Sequence, residues 1–173
     1  MDYTTNTAIA SVKALTEVIT PVVDAGGDAQ AIEQVRLVTD FVRFIQDRVD
    51  WIGDRTRRQL REQVALGREI RTDTSSLPSS EAFESALDAA ARVSEDAAVT
   101  GEQQRQVTEE LASAISRAVR ESDVLDDAAR SRIERAVVAA SLRRADVDRA
   151  WLLPLGFDPE PSSVRSLRVV FAP

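Results

Sequence analysis

The 173-residue chain contains no histidine and no cysteine, and these two absences exclude much of the usual chemistry of enzymes. Without cysteine there is no disulfide, no thiolate nucleophile and no sulfur ligand for zinc or iron–sulfur clusters. Without histidine there is no imidazole base, no Ser-His-Asp triad and no histidine-ligated metal. The remaining residue types form no complete catalytic motif. We therefore expect a protein that is not an enzyme and that uses no metal or cofactor.

The chain also lacks an excess of basic residues and any long apolar run. Its 22 basic and 29 acidic side chains give a formal net charge of −7, which argues against binding to nucleic acid or to an anionic membrane. The longest unbroken apolar stretch covers residues 136–140, whereas a membrane-spanning helix needs about 20 residues. The first residues lack the basic and apolar regions of a secretory signal, so we expect a cytoplasmic protein.

Glycines, prolines and other turn-forming residues that would end a helix are few, and the apolar residues between them recur with the period of a helix. This pattern predicts an all-α fold, namely an elongated bundle of about five helices with one long central helix and an extended C-terminal tail. We assign residues 1–153 to the bundle. Residues 154–173, which contain four of the six prolines, form the tail.

The predicted central helix covers residues 28–71, with Asp28 as its N-cap. Apolar residues recur along it in alternating steps of three and four, which is the spacing of a coiled-coil seam. Two interpretations remain open: one continuous or kinked helix, which the unbroken phase favours, or two helices separated at Gly53. The seam consists of Val35, Val38, Val42, Ile45, Val49 and Ile52, followed by Leu60, Val64, Gly67 and Ile70.

A second apolar face lies on the same predicted helix and consists of Leu37, Phe41, Phe44 and Trp51. Together with the seam, it makes more than half of the circumference apolar. A helix of this kind is typical of the centre of a bundle or of an interface between copies.

Two arginines flank one of the two tryptophans, since Arg48 and Arg55 each lie about one turn from Trp51. The three residues are candidates for a partner-binding anchor, because tryptophan and arginine are enriched at interface hot spots. The alternative is a core tryptophan covered by arginine stems. Further arginines crowd residues 55–71, and we expect them to pair with acidic residues of a neighbouring helix.

The tail is predicted to hold an extended segment over residues 164–171, with Leu167, Val169 and Phe171 on one side and Val164 and Val170 on the other. Val164, Leu167, Val169 and Phe171 are candidates for binding a partner, since an isolated strand adds readily to another protein. Residues 163–168, with the sequence SVRSLR, are similar to the C-terminal targeting peptides of encapsulin cargo proteins. That resemblance implies docking to a shell protein through Val164 and Leu167.

These observations lead to three hypotheses on function. The first is a non-enzymatic helical protein that associates with itself or with another protein. The second is an accessory or cargo protein that its C-terminal tail attaches to a larger assembly. The third is a small-molecule binder or an enzyme based on carboxylates, with its site in a cavity between helices.

Overall fold

A computed structural model describes residues 3–172, and every regular element in this part of the chain is helical. The predicted all-α class is therefore confirmed, although the described helices outnumber the five expected. They are α1 (Tyr3–Ala14), α2 (Thr20–Gly26), α3 (Ala29–Gln46), α4 (Ile52–Thr74), α5 (Ser80–Glu95), α6 (Gly101–Glu121), α7 (Asp127–Leu152) and the short α8 (Leu167–Val170).

The chain divides into two compact units, residues 1–52 and residues 53–173. The first unit is a helical hairpin, in which α1 and α2 pack against α3. The second unit contains α4 to α8. This boundary between residues 52 and 53 differs from the boundary expected between residues 153 and 154. The boundary at residue 153 stays a prediction.

The first arm of the hairpin runs from Tyr3 to Gly26 and accommodates a proline. Pro21 lacks an N–H group and its ring collides with the carbonyl four residues earlier, which would interrupt an ordinary helix. A π-helical segment, Leu15–Ile19, lies just before α2, and the hydroxyl of Thr20 donates to the Leu15 carbonyl at 2.8 Å. The wider turn satisfies carbonyls near the proline and so allows the helix to continue.

A tight turn joins the two arms of the hairpin. Gly27 ends α2 with a φ of +69°, a left-handed conformation that glycine adopts without steric cost. Asp28 then caps α3, since its side chain accepts from the backbone N–H groups of Gln30 at 2.9 Å and Ala31 at 3.3 Å. The predicted role of Asp28 as N-cap is therefore confirmed.

The predicted continuous helix over residues 28–71 is wrong. In the structure α3 ends at Gln46, a 3₁₀ turn covers Val49–Trp51, and α4 begins at Ile52. Carboxylates give a physical reason for the interruption. Asp50 and Asp54 lie at the amino-terminal end of the second helix, where negative charge is favourable, whereas a continuous helix would place them in its middle. The break precedes Gly53, which lies in the first turn of α4.

Four helices of the second unit form the main hydrophobic core. The predicted apolar positions of α4 are buried at Leu60, Val64, Gly67 and Ile70. Gly67 allows close packing, since a Cβ there would lie 2.8 Å from a methyl carbon of Leu87 and the Leu87 side chain would have to shift. The core residues contributed by the other helices include Phe83, Leu87 and Ala90 from α5, Leu111, Ile115 and Ala118 from α6, and Ile133 and Ala136 from α7.

Local signals in the sequence fix where α6 begins. Thr100 and Gln103 form a capping box, in which the Gln103 N–H donates to the Thr100 hydroxyl at 3.2 Å and the Thr100 N–H donates to the Gln103 side chain at 2.9 Å. The next helix does not begin directly at Ser122. A 3₁₀ turn lies there instead, and Asp126 caps α7.

The tail does not form the extended segment that the alternation of residues 164–171 predicted. A 3₁₀ turn occupies Pro161–Ser163 and the short helix α8 follows. Ser166 caps α8 by accepting from the Val169 N–H at 3.4 Å. The tail belongs to the second unit and packs against α7.

Candidate functional site

Arg48, a predicted partner-binding residue, lies in the interior of the structure. Only 3% of it is exposed, and its guanidinium carbon lies 4.3 Å from the centre of the Phe44 ring. Burial holds the pKa of Arg48 below its ordinary value, and the neighbouring charge of Asp47 partly offsets this shift. Trp51 is half-buried in the 3₁₀ turn, and its backbone N–H donates to the Arg48 carbonyl at 2.9 Å. A role of these two residues as an interface anchor stays a prediction.

Arg55, the third member of the predicted anchor, packs within the second unit. Its guanidinium carbon lies 4.6 Å from the centre of the Trp151 ring, a cation–π contact. Its Nη2 also donates to the carboxylate of Asp148 at 2.8 Å. These contacts join the beginning of α4 to the end of α7. Two other arginines of α4 form ion pairs with acidic residues of α5, as expected: Arg68 with Glu95 at 3.4 Å and Arg71 with Glu84 at 2.6 Å.

The apolar side chains of the tail cover the end of α7. Val164, Leu167, Val170 and Phe171 pack with Val147 and Ala150, whereas Val169 is 57% exposed. The expectation that Val169 shares one side with Leu167 and Phe171 is therefore wrong, because the helical turn of α8 rotates it away. Arg58 of α4 adds a hydrogen bond to the Val170 carbonyl. Docking to a larger assembly stays a prediction, and it requires Val164 and Leu167 to leave α7.

A charged contact fixes the loop that precedes the tail helix. Arg149 donates to both carboxylate oxygens of Asp158, at 2.8 and 3.0 Å, and to the hydroxyl of Ser163 at 2.8 Å. The side chain of Asp158 is only 7% exposed. The hydrogen bonds from Arg149 and from the Glu160 backbone hold the pKa of Asp158 below its ordinary value.

This contact predicts how the tail responds to pH. A carboxylate with a lowered pKa stabilises the folded state above its ordinary pKa of 3.8, and the contribution is lost as the pH falls through the lower, folded value. We expect the methyl NMR signals of Val164 and Val170 to stay constant from neutral pH down to about pH 4 and to shift below it. Asp158→Asn should shift these signals already at neutral pH. Unchanged methyl signals in Asp158→Asn would contradict a role of the Arg149–Asp158 contact in holding the tail.

The hairpin of the first unit separates its charges from its apolar residues. The four charged residues of α3 lie within about 80° of one another around the helix axis. They also pair with each other, since Arg36 lies 2.6 Å from Glu33 and 3.7 Å from Asp40, and Arg43 lies 3.7 Å from Asp40. On this side a groove runs between the two arms, and Asp24 of α2 also lines it.

The opposite side of the hairpin carries no charged residue from α2 or α3. At about 100° per residue, Val38 and Phe41 point about 140–160° away from Arg36 and Arg43. On α2, Val22 lies about 160° from Asp24 and therefore shares this side. We call it the uncharged face. It consists of Ile19, Val22, Gln30, Gln34, Val38, Phe41 and Ile45.

The apolar residues of the uncharged face are accessible to solvent. Phe41 is 64% exposed, Val22 70% and Val38 48%. Phe41 was predicted as part of a second apolar face and Val38 as part of the seam, but the contribution of Val22 was missed. The spacing of charged residues could have indicated that Val22 lies on an uncharged side of the helix, since the only charged residues from Tyr3 to Gly26 are Lys13, Glu17 and Asp24.

The second unit has a cavity of about 270 Å³ between α4, α6 and α7. Two charged residues of α6, Arg105 and Glu109, lie at this cavity and are exposed. Thr56 and Leu66, which are buried, also line it. The cavity is where the third hypothesis, small-molecule binding, would apply. Within residues 3–172 no group of three or more acidic side chains is placed to hold a metal ion.

No family model, no curated protein and no solved structure matches this chain. Among the residues that the structure describes, no helix is both long enough and apolar enough to cross a membrane.

Proposed function

We propose that this protein is a non-enzymatic helical protein that associates with a second copy of itself through the uncharged face. The observation that carries the proposal is the distribution of buried residues. Within residues 3–52 the only buried side chains are those of Thr39 and Arg48, and no apolar side chain is buried. All the buried apolar side chains of the described chain belong to the second unit.

The energetics of the hairpin explain why a cover on the uncharged face would stabilise it. Burial of apolar surface contributes about 25 cal/mol per Å², and two helices alone leave much of that surface in water. A second hairpin placed on the uncharged face would complete a four-helix bundle, the ordinary arrangement for amphipathic helices of this length. Phe41 and Val38 would then become core residues.

The absence of charge on this face favours a second copy as the occupant. Every copy carries the same net charge of −7, and like charges in a contact would repel each other. The contact proposed here contains only apolar residues and glutamines, so two identical faces can meet without that repulsion. A contact of the same patch with itself is also the usual form of a two-fold symmetric dimer.

Light scattering on size exclusion tests the proposal. We expect the full chain at micromolar concentration to have twice the chain mass of 19.0 kDa. The double variant Val38→Asp with Phe41→Asp should have the mass of a single chain, because desolvation of carboxylates in the contact is unfavourable. Circular dichroism should show that the variant keeps its helices.

Leu142→Asp is the matched control. Leu142 of α7 is 66% exposed, close to the exposure of Phe41, but it lies in the second unit. We expect this variant to keep the double mass. A single-chain mass for the unmodified protein would refute the proposal. So would a dimer that Leu142→Asp dissociates and the double variant leaves intact.

A further inference from the structure

The proposed dimer leaves open which way the second hairpin points. Two face-to-face arrangements have two-fold symmetry, one with both connecting turns at the same end and one with the turns at opposite ends. The apolar residues of the uncharged face extend along both arms of the hairpin, with Ile19 and Val22 on the first arm and Val38, Phe41 and Ile45 on α3. Both arrangements therefore bring apolar residues onto apolar residues, and burial does not distinguish them.

The charges at the two ends of the hairpin do distinguish them. The turn end, residues 20–33, holds Asp24, Asp28 and Glu33 and no basic residue, which gives a net charge of −3. The open end consists of residues 3–16 and 37–52. Its three basic residues are Lys13, Arg43 and Arg48, its three acidic residues are Asp40, Asp47 and Asp50, and its net charge is therefore 0.

We infer that the second copy packs antiparallel, with its turn at the open end of the first hairpin. This inference rests on the proposed self-association. In the parallel arrangement the two turn ends, each of charge −3, lie side by side. In the antiparallel arrangement each turn end lies beside an open end of net charge 0, so that the repulsion between the two turn ends is removed.

The antiparallel arrangement makes a specific prediction for α3. A two-fold axis across the hairpins places each α3 against the α3 of the other copy, with the middle of the helix at the axis. Val38 then lies beside the same residue of the second copy. In the parallel arrangement each α3 would instead lie against the first arm of the other hairpin.

Distances between spin labels test the orientation, and the absence of cysteine makes the labelling specific. Ala25→Cys lies at the turn end and Asn6→Cys at the open end of the same arm, and both positions are exposed. Their 19-residue separation corresponds to about 28 Å along the helix. In dimers labelled only at position 25 we expect distances of about 25 Å or more. Mixed dimers, labelled at 25 in one copy and at 6 in the other, should give shorter distances.

The reverse pattern, short distances between labels at position 25 and long ones in the mixed dimers, would overturn the antiparallel inference while leaving the proposed self-association intact. A complete lack of distances between chains, together with a single-chain mass by light scattering, would instead overturn both. Both labelled variants must first show the double mass, which controls for damage to the contact by the label.

Discussion

Phe83→Ala is expected to lower the free energy of unfolding of the second unit by about 3–5 kcal/mol. Phe83 is 1% exposed and has the largest volume among the fully buried side chains. Removal of its ring deletes apolar contacts within the core of α4 to α7 and leaves a cavity that the neighbouring helices fill only partly. Urea unfolding followed by tryptophan fluorescence measures the change in a Trp51→Phe background, where Trp151 of the same unit is the remaining tryptophan.

Phe157→Ala is the matched control for this prediction. It removes the same ring from a position that is 86% exposed, and we expect a change within about 0.5 kcal/mol. Similar losses of stability in the two variants would contradict the core that the structure assigns. The dimer mass should persist in Phe83→Ala under native conditions, since the proposed contact belongs to the first unit.

Val170→Asp is expected to release the tail from α7. Val170 is 3% exposed and packs with Val147 and Ala150, so that a carboxylate there is desolvated without a partner. Trypsin cuts after arginine, and Arg165 and Arg168 of the tail are exposed. Because proteolysis follows the population of the open state, a cost of only about 1.4 kcal/mol already raises the cleavage rate tenfold. We expect at least a tenfold increase.

Val169→Asp provides the control, since it introduces the same charge one residue away at a position that is 57% exposed. Its rate of cleavage in the tail should stay within about twofold of the unmodified chain, because an exposed substitution changes stability by less than about 0.5 kcal/mol. Mass spectrometry of the C-terminal fragments measures both rates. Equal acceleration in the two variants would favour the extended tail that the alternation of residues 164–171 predicted, and would contradict the packed helix.

Several features of the fold could be predicted from the sequence because they depend on neighbouring residues. Asp28 and Thr100 cap helices through side chains that reach only two or three residues along the chain. The apolar positions Leu60, Val64 and Ile70 recur with the helical period and are buried as expected. Such signals act within one or two turns of helix, and a sequence states them directly.

The interruption between α3 and α4 could not be predicted in the same way. A periodic pattern reports which side chains are apolar, but not which backbone hydrogen bonds connect them. The seam keeps its phase from Val42 through Ile52 even though the backbone changes to a 3₁₀ turn between them. For this reason the first part of the seam was expected to be buried, whereas Val38 and Ile52 are 48% and 43% exposed.

The tail shows a different limit of periodicity. Leu167, Val169 and Phe171 alternate as in a strand, but Leu167, Val170 and Phe171 also follow the three- and four-residue steps of a helix. In a run this short the two periods cannot be separated. The contact with Val147 decides between them, because only the helical arrangement buries Val170.

The sequence predicted only part of the uncharged face. The sequence drew attention to Leu37, Phe41, Arg48 and Trp51, and of these only Phe41 lies on the uncharged face. Arg48 is buried, which its type and position did not indicate. Whether a side chain is covered depends on residues far away in the chain, and the pattern within one helix does not contain that information.

The sequence by itself determined the helical class, the caps, the paired charges of α3 and the exclusion of histidine and cysteine chemistry, because each depends on residue type or on local spacing. Only the tertiary structure decided that residues 3–52 form a separate hairpin without a buried apolar core, and that the tail packs against α7. The physical reason is that burial is a property of contacts between distant segments. The same helical pattern is compatible with a core, an interface or a surface exposed to water.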